Sequence, residues 1–266
     1  MLGLFDSHAH YDDDRFVEEF EGGTDGAIRK AVSEGVVGIV NVGSNIETSE
    51  NSIALAEKYP FIYAVVGIHP SDAQRLPASM TDSAFYRVEE LAKREKVVAI
   101  GEIGLDYHYD FLDKERQAYF FDAQMQIAQR VGLPVVIHTR DAFGDTTDIL
   151  DRHPNVKGVM HSYSGSAESA RQLCDKGWYI SFSGPVTYKN ANKVKEAAAI
   201  VPSDRIMIET DCPYLPPVPH RGELNYSGYM KHTCEAVAAI RGISIEEAAQ
   251  ITRENACRFF GITLQA

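Results

Sequence analysis

The sequence predicts an α/β protein built as a single (β/α)8 barrel of the TIM type. Short β-branched runs alternate with longer segments of helical spacing, and this alternation repeats eight times along the chain. The strands are almost continuously apolar, which is typical of a parallel sheet that is buried on both faces. Eight such units occupy about 250 residues in known barrels. One barrel domain over residues 1–266 therefore accounts for the whole length.

The strands are recognised as short apolar runs, and the helices as longer runs in which apolar residues recur every three or four positions. The strands are expected at Leu4–His8, Val36–Val42, Phe61–Ile68, Val97–Gly101, Pro134–His138, Val156–His161, Trp178–Phe182 and Arg205–Ile208. The helices are expected at Asp25–Ser33, Glu47–Lys58, Ala84–Arg94, Lys114–Val131, Asp145–Arg152, Ala167–Lys176, Ala191–Ala199 and within Tyr229–Phe260. A doubly wound open sheet also alternates in this way. It would need fewer strands, and the Gly-rich loop of its dinucleotide-binding form is missing after the first strand.

The composition is that of an ordinary globular protein, with 44% hydrophobic and 24% charged residues. The net charge of −12 excludes a broad basic face for nucleic acid, so any nucleic-acid contact must be local. The four cysteines show no CxxC spacing and are expected to be reduced thiols. The N-terminus lacks the basic region of a signal peptide, and the longest apolar run is too short to span a membrane. We therefore expect a cytoplasmic protein.

Histidines and carboxylates recur at the expected carboxyl ends of the strands, where a barrel builds its active site. The first strand ends in His8-Ala9-His10, and alternate residues of a strand point to the same side. Each of these residues alone could be a hydrogen-bonded core or capping residue. Taken together, four imidazoles and two carboxylates provide the ligands for two metal ions that share a bridging carboxylate. The six residues are His8, His10, Glu102, His138, His161 and Asp211.

Six ordered motifs resemble those of the TatD deoxyribonucleases, a family of the metal-dependent amidohydrolase superfamily. The motifs are His8-x-His10, Gly67-Ile68-His69-Pro70, Gly101–Tyr107, Ile137–Arg140, His161–Gly165 and Glu209–Tyr214. The resemblance implies a TIM-type barrel, the six metal ligands above and metal-dependent hydrolysis of phosphodiester bonds in DNA. The sequence departs from the family at Ser162 and Tyr163, where the family commonly has Cys and Phe. Neither residue is expected to be a ligand.

From this resemblance and the residues we assign two divalent ions to the centre. The first ion is expected on His8, His10 and Asp211, the second on His138 and His161, and Glu102 is expected to bridge them. Asp211 is also the expected general base, because a carboxylate beside activated water can take its proton. The mixed ligand set suits Zn²⁺, Mn²⁺ or Ni²⁺ better than Mg²⁺.

Substrate contacts are expected outside the metal ligands. His69, Arg140 and Arg221 are candidates for binding the phosphate, with ordinary surface salt bridges as the alternative for the arginines. Tyr107, Tyr188 and Tyr214 offer faces on which unpaired bases could stack, although each could instead pack in the core.

The acidic net charge favours a nuclease that acts on strand ends or single strands, in the manner of an exonuclease. We expect the protein to be a monomer. Two other functions are compatible with the sequence. An amide or ester hydrolase, for example one that acts on aminoacyl bonds, could use the same ligands. Alternatively, the protein could be a metal-binding scaffold without catalysis, but such a protein would be expected to have lost a ligand.

Overall fold

The computed structural model describes residues 2–108 and 113–264. Eight parallel strands form a nearly closed barrel with alternating helices, so the predicted (β/α)8 fold is confirmed. In the sheet the strands follow their order in the chain from the first to the eighth. They are β1 (Leu4–Ala9), β2 (Val36–Val42), β3 (Ile62–Val66), β4 (Val97–Asp106), β5 (Val135–Arg140), β6 (Gly158–Met160), β7 (Tyr179–Phe182) and β8 (Ile206–Ile208).

Among the described residues the strands alternate with eleven α-helices. These are α1 (Asp14–Glu19), α2 (Gly23–Ser33), α3 (Ile46–Lys58), α4 (Pro70–Ala73), α5 (Thr81–Leu91), α6 (Lys114–Val131), α7 (Phe143–Arg152), α8 (Ala167–Asp175), α9 (Asn192–Ile200), α10 (Met230–Arg241) and α11 (Ile245–Phe260). Helix α3 begins with a capping box in which the Asn45 side chain accepts from the amide of Thr48. Short helices α1 and α4 were not expected, because each is too short to repeat an apolar spacing.

The chain divides into two compact units. One unit contains the described residues up to 41 and those from 161 onward, and the other contains those from 42 to 160. In the first unit, Leu4, Phe5 and Ile208 are buried core residues of β1 and β8. In the second unit, Ile100 and Val136 are buried on β4 and β5. Burial of such apolar strands supplies most of the favourable free energy of folding.

Strand β4 is longer than the sequence indicates. We expected it to end at Gly101, but it continues to Asp106, and its pairing with β5 is irregular between Ile100 and Ile103. Glu102 therefore lies inside the strand, within this irregular stretch, rather than at its end. The continuous apolar run stops at Gly101, and beyond it Ile103 and Leu105 alternate with Glu102, Gly104 and Asp106, so a prediction from the apolar run alone ends too early.

Gly104 allows β4 to approach β5 closely beside a predicted ligand. Its φ of 143° lies in the region that favours glycine, and a Cβ there would overlap the carbonyl oxygen of His138. A side chain at this position would push the two strands apart. The glycine therefore helps to determine where His138 lies relative to β4.

All four cysteines are free, as expected from their spacing. Within residues 2–108 and 113–264, no helix has both the length and the apolar character needed to cross a membrane.

Candidate metal centre

The first unit brings three of the predicted ligands into one cluster. His8 and His10 place their Nε2 atoms 3.1 Å apart, and the carboxylate of Asp211 lies 3.8 Å from His8 Nε2 and 3.5 Å from His10 Nε2. One donor atom from each residue lies within 4.8 Å of the other two. The ring of His161 stacks on that of His8, with centroids 4.0 Å apart. Four of the six predicted ligands are therefore neighbours within this unit.

Backbone pairing between the ends of β1 and β8 positions this cluster. The amide of Asp211 donates to the carbonyl of His8 at 2.9 Å, and the amide of His10 donates to the carbonyl of Cys212 at 2.8 Å. Asp211 has a positive φ of 58°, an uncommon conformation for a residue other than glycine. Such backbone conformations persist only where the surrounding structure enforces them, and they are frequent at functional sites.

Asp6, on β1, links this strand to the residues that follow β8. Its carboxylate is fully buried and accepts hydrogen bonds from the Thr210 amide and hydroxyl and from the Ser227 hydroxyl. Burial raises the pKa of Asp6 to about 6, and these hydrogen bonds oppose the rise. Asp6 therefore supports the site by tying β1 to the residues that follow β8.

The second unit forms its own cluster from His69, Glu102 and His138. His138 Nδ1 lies 2.8 Å from Glu102 Oε1, and His69 Nε2 lies 3.8 Å from the same oxygen. One donor atom from each of the three residues again lies within 4.8 Å of the others. Glu102 is only 4% exposed, and a carboxylate this deeply buried is costly unless it is paired or bound to a cation.

His69 has a hydrogen-bonding pattern that distinguishes it from the predicted ligands. It caps α4, where its Nδ1 accepts from the amide of Ser71 at 3.1 Å. A neutral imidazole that accepts at Nδ1 carries its proton on Nε2. The Nε2 atom that points toward Glu102 is therefore a hydrogen-bond donor, which suits contact with an anionic oxygen better than metal ligation.

Two buried carboxylates support the predicted histidine ligands, and the sequence analysis did not assign them a role. Asp106 Oδ2 lies 3.2 Å from His138 Nε2, and Glu209 Oε1 lies 3.1 Å from His161 Nδ1. A carboxylate on one ring nitrogen sets the tautomer and orientation of a histidine and leaves the other nitrogen for a metal. Glu209 could have been recognised from its position two residues before Asp211, because alternate residues of an extended segment share a face.

The electrostatic surroundings keep two of the carboxylates ionised. Burial alone would raise the pKa of Asp211, but the hydrogen bond from His10 and the nearby imidazoles of His161 and His8 outweigh it, so the pKa lies below its ordinary value. Burial likewise opposes ionisation of Asp106, and the hydrogen bonds from His138 and from the His108 amide bring its pKa below the usual value.

The donor spacing in the first cluster fits a divalent ion. Imidazole nitrogens bind zinc at about 2.0–2.1 Å, which places two such ligands of a tetrahedral ion about 3.3 Å apart. The 3.1 Å separation of His8 and His10 is close to this value. Imidazole and carboxylate donors together suit zinc, nickel or manganese. The residues present therefore fit a metal ion.

Of the three predicted substrate contacts, His69 is a member of the second cluster, and the two arginines are members of neither cluster. Arg140 is the exposed last residue of β5, and its carbonyl accepts from the Tyr107 amide. The guanidinium of Arg221 lies over the ring of Tyr188, 4.1 Å from its centroid. Glu223, the acidic residue two positions after Arg221, is bonded to His220 and Tyr229.

The three tyrosines that were candidates for base stacking are at least partly accessible. Tyr214 is 47% exposed, and its ring is contacted by the guanidinium of Arg15 at 4.3 Å and by the edge of His10. Tyr107 and Tyr188 are partly exposed, and the Tyr107 hydroxyl donates to Asp145. None of the three is packed fully in the core.

Comparison with known proteins identifies the family. The family model described as "TatD related DNase" matches residues 5–261. YabD of Bacillus subtilis, described as an uncharacterized metal-dependent hydrolase, is 44% identical over 261 residues, which cover 97% of this chain and 99% of YabD. A protein of Citrobacter rodentium named 3'-5' ssDNA/RNA exonuclease TatD is 30% identical over 272 residues, covering 99% of this chain and all of that protein.

A solved structure agrees with this assignment. The crystal structure of YJJV, a TatD homologue from Escherichia coli, superimposes with a TM-score of 0.90 and 29% identity, over 99% of this chain and 100% of that one. The family resemblance predicted from the motifs is therefore confirmed. This chain belongs to the TatD family of metal-dependent hydrolases.

Proposed function

We propose that this protein is a deoxyribonuclease that hydrolyses phosphodiester bonds at strand ends or in single strands. The observation that carries the proposal is the pair of histidine–carboxylate clusters, His8/His10/Asp211 and His69/Glu102/His138, each with one buried and two partly exposed members. The similarity to a 3'-5' exonuclease of single-stranded DNA and RNA supports this substrate class. Acidic composition, with a net charge of −12, also favours a local site over a broad duplex-binding face.

We propose that the site holds two divalent ions. His8, His10 and Asp211 would hold the first, His138 and His161 the second, and Glu102 would be shared. When bound, such ions supply Lewis acidity to the phosphoryl group and lower the pKa of water. Asp106 and Glu209 would orient His138 and His161 by holding the ring nitrogens that do not bind metal.

Asp211 is the proposed general base. Its depressed pKa keeps it ionised at neutral pH, so one of its oxygens is ready to take a proton from the attacking water. The water oxygen then forms a bond to phosphorus, the bond from phosphorus to the leaving sugar oxygen breaks, and the departing alkoxide takes up the proton that Asp211 received. The products are a phosphomonoester and an alcohol.

His69 is the proposed donor to a phosphate oxygen. Its Nε2 proton is fixed by the hydrogen bond that Nδ1 accepts from Ser71, so the ring presents a donor whether or not substrate is bound. A fixed donor of this kind stabilises charge on a phosphoryl oxygen without reorganisation during the reaction.

Arg140 and Arg221 are the proposed cations for the strand. Stacking on Tyr188 holds the Arg221 guanidinium in place while leaving its N–H groups in its plane available. A guanidinium matches phosphate in charge and in its paired donors. The half-exposed ring of Tyr214, beside His10, is the proposed platform for a terminal base.

The proposal is tested with end-labelled single- and double-stranded oligonucleotides, incubated with protein reconstituted with Zn²⁺, Mn²⁺, Ni²⁺ or Mg²⁺ and resolved by product length. We expect a ladder that shortens from one end, faster on the single strand, and no cleavage with chelator. The Glu102→Ala protein is the control for a contaminating nuclease. Cleavage of a parallel aminoacyl ester, with oligonucleotides left intact, would contradict the nuclease and support an ester hydrolase.

We further propose that the protein is a cytoplasmic monomer with one catalytic domain over residues 1–266. Light scattering of the full chain tests the oligomeric state, for which we expect a mass near 29.5 kDa. A mass near twice this value would contradict the monomer.

A further inference from the structure

A second pair of histidines lies outside the two clusters already described. His220 belongs to the loop after β8, and His232 belongs to the first turn of α10. Their Nε2 atoms lie 3.2 Å apart. Each side chain is 23% exposed, so the two rings are largely covered but remain accessible to a small ion.

Each ring is held by a carboxylate at its other nitrogen. His220 Nδ1 lies 3.0 Å from Glu223 Oε2, and His232 Nδ1 lies 3.1 Å from Glu235 Oε2. An ionised carboxylate can only accept, so the proton of each neutral ring is on Nδ1. Each Nε2 then directs a lone pair toward the other ring. Two lone pairs at this distance repel unless a cation lies between them.

The orientation of His220 is fixed from a second side. Its ring stacks on Tyr229 with centroids 3.7 Å apart and planes inclined by 7°. The Tyr229 hydroxyl donates to the same Glu223 carboxylate at 2.6 Å. The ring is thus held by a stack and a shared carboxylate before any ion binds. A preformed pair loses less entropy when it binds a ligand than two mobile side chains would.

We propose that His220 and His232 bind one divalent transition-metal ion of the Zn²⁺ class through their Nε2 atoms. Two imidazoles on a tetrahedral ion are about 3.3 Å apart, close to the separation observed here. Imidazole donors favour zinc, nickel or copper over magnesium or calcium. Glu223 and Glu235 place negative charge beside both rings, which further favours a cation.

The ion would clamp the loop after β8 onto α10. This loop contains Arg221, directly after His220, whose guanidinium stacks on Tyr188. Fixing His220 therefore restricts the backbone that carries Arg221. The site is separate from the catalytic clusters and does not depend on the proposed nuclease activity, so failure of either proposal leaves the other standing.

Equilibrium dialysis of the full chain against Zn²⁺ alone, at pH 7.5 and with bound zinc counted by elemental analysis, tests the proposal. We expect wild-type protein to bind one more zinc per chain than His232→Gln, and His220→Gln to show the same loss. His153→Gln is the matched control, because that histidine also pairs with a carboxylate, Asp122, but lies in the other unit. Its zinc count should equal that of the wild type.

Two further measurements keep the test decisive. Glu235→Ala retains both ligands but removes one supporting carboxylate, so zinc affinity at this site should fall by about 10–100-fold. The rise in melting temperature caused by zinc should be smaller for His232→Gln than for His153→Gln, because one stabilising ion is lost. Equal zinc counts in wild type, His220→Gln and His232→Gln would overturn the proposal and indicate a proton shared between the rings. If His232→Gln fails to fold by circular dichroism, His220→Gln and Glu235→Ala decide the question.

Discussion

Asp106 Oδ2 lies 3.2 Å from His138 Nε2, on the side of the ring opposite the nitrogen that faces Glu102. Both carboxylates are nearly buried, and His138 lies between them. With Nε2 engaged by Asp106, Nδ1 is the nitrogen that can serve as a metal ligand. The contact between Asp106 and His138 therefore fixes the tautomer of His138 as well as its orientation.

Replacing Asp106 tests this arrangement. Asp106→Asn keeps the shape of the side chain and removes its charge, so His138 becomes a weaker and less well oriented ligand. We expect affinity for the second proposed ion, which His138 would help to hold, to fall by about 10–100-fold while the fold is retained. Metal titration followed by calorimetry measures the change, with Asp145→Asn, which alters an exposed carboxylate bonded to Tyr107, as the control. Equal affinities in wild type and Asp106→Asn would refute the supporting role.

Replacing Glu102 tests the proposed bridge. Glu102→Ala should lower the occupancy of both metal sites and reduce activity strongly, because a shared ligand positions the two ions relative to each other. Metal content by elemental analysis and the initial rate at saturating metal are the measurements. The control is Glu89→Ala, which removes a partly exposed glutamate paired with Arg130 in the same unit. Retained activity in Glu102→Ala at saturating metal would show that the bridge is wrongly assigned.

Replacing Asp211 tests the general base. Asp211→Asn can still offer an oxygen to an ion but cannot accept the proton, so kcat should fall by about 10²–10⁴-fold, with a smaller change in metal content. Because the pKa of Asp211 lies below its ordinary value, the carboxylate is ionised throughout the neutral range and would be protonated only in acid. The ratio of wild-type to variant rates should therefore be the same at pH 6 and pH 8. A near-normal rate with full metal would place the base elsewhere.

Replacing the two arginines tests the proposed phosphate contacts. Arg140→Ala and Arg221→Ala should each raise KM for oligonucleotides without loss of metal, and the salt dependence of binding should flatten by about 0.7–0.9 in the logarithmic slope. Tyr188→Ala should resemble Arg221→Ala, since it removes the ring on which the guanidinium rests. Arg87→Ala, which breaks an exposed pair with Glu50, is the control. A lower melting temperature with unchanged KM in both arginine variants would support a structural role instead.

Replacing Gly104 tests the close approach of β4 and β5. Gly104→Ala forces both an unfavourable φ and an overlap with the His138 carbonyl, so unfolding free energy should fall by about 3 kcal/mol or more and metal affinity should fall with it. Gly132→Ala is the matched control, because it also has a positive φ of 73° but no atom lies within 4 Å of the added Cβ. It should cost only about 1–2 kcal/mol. Chemical denaturation measures both values, and equal losses would exclude a role for the overlap.

The fold was predicted from the pattern of apolar residues within single segments of the chain. Strand β2 and helix α6 have the predicted bounds, Val36–Val42 and Lys114–Val131, because each is a clear periodic segment between turn-forming residues. The bounds of β4 were wrong by five residues, since its second half is stabilised by pairing with β5 rather than by an apolar run. Pairing across a sheet is a tertiary property that no single segment reveals.

By itself the sequence determined the set of candidate metal ligands, because alternation within strands and the ordered motifs both depend only on position along the chain. The tertiary structure decided how these side chains are held. The His69 tautomer depends on its cap on α4, and the support of His138 and His161 depends on Asp106 and Glu209, which reach them only after the strands pair. Burial and hydrogen bonding determine which ring nitrogen carries the proton and which carboxylate stays ionised. The groups involved are distant in the chain, and only folding brings them within contact distance.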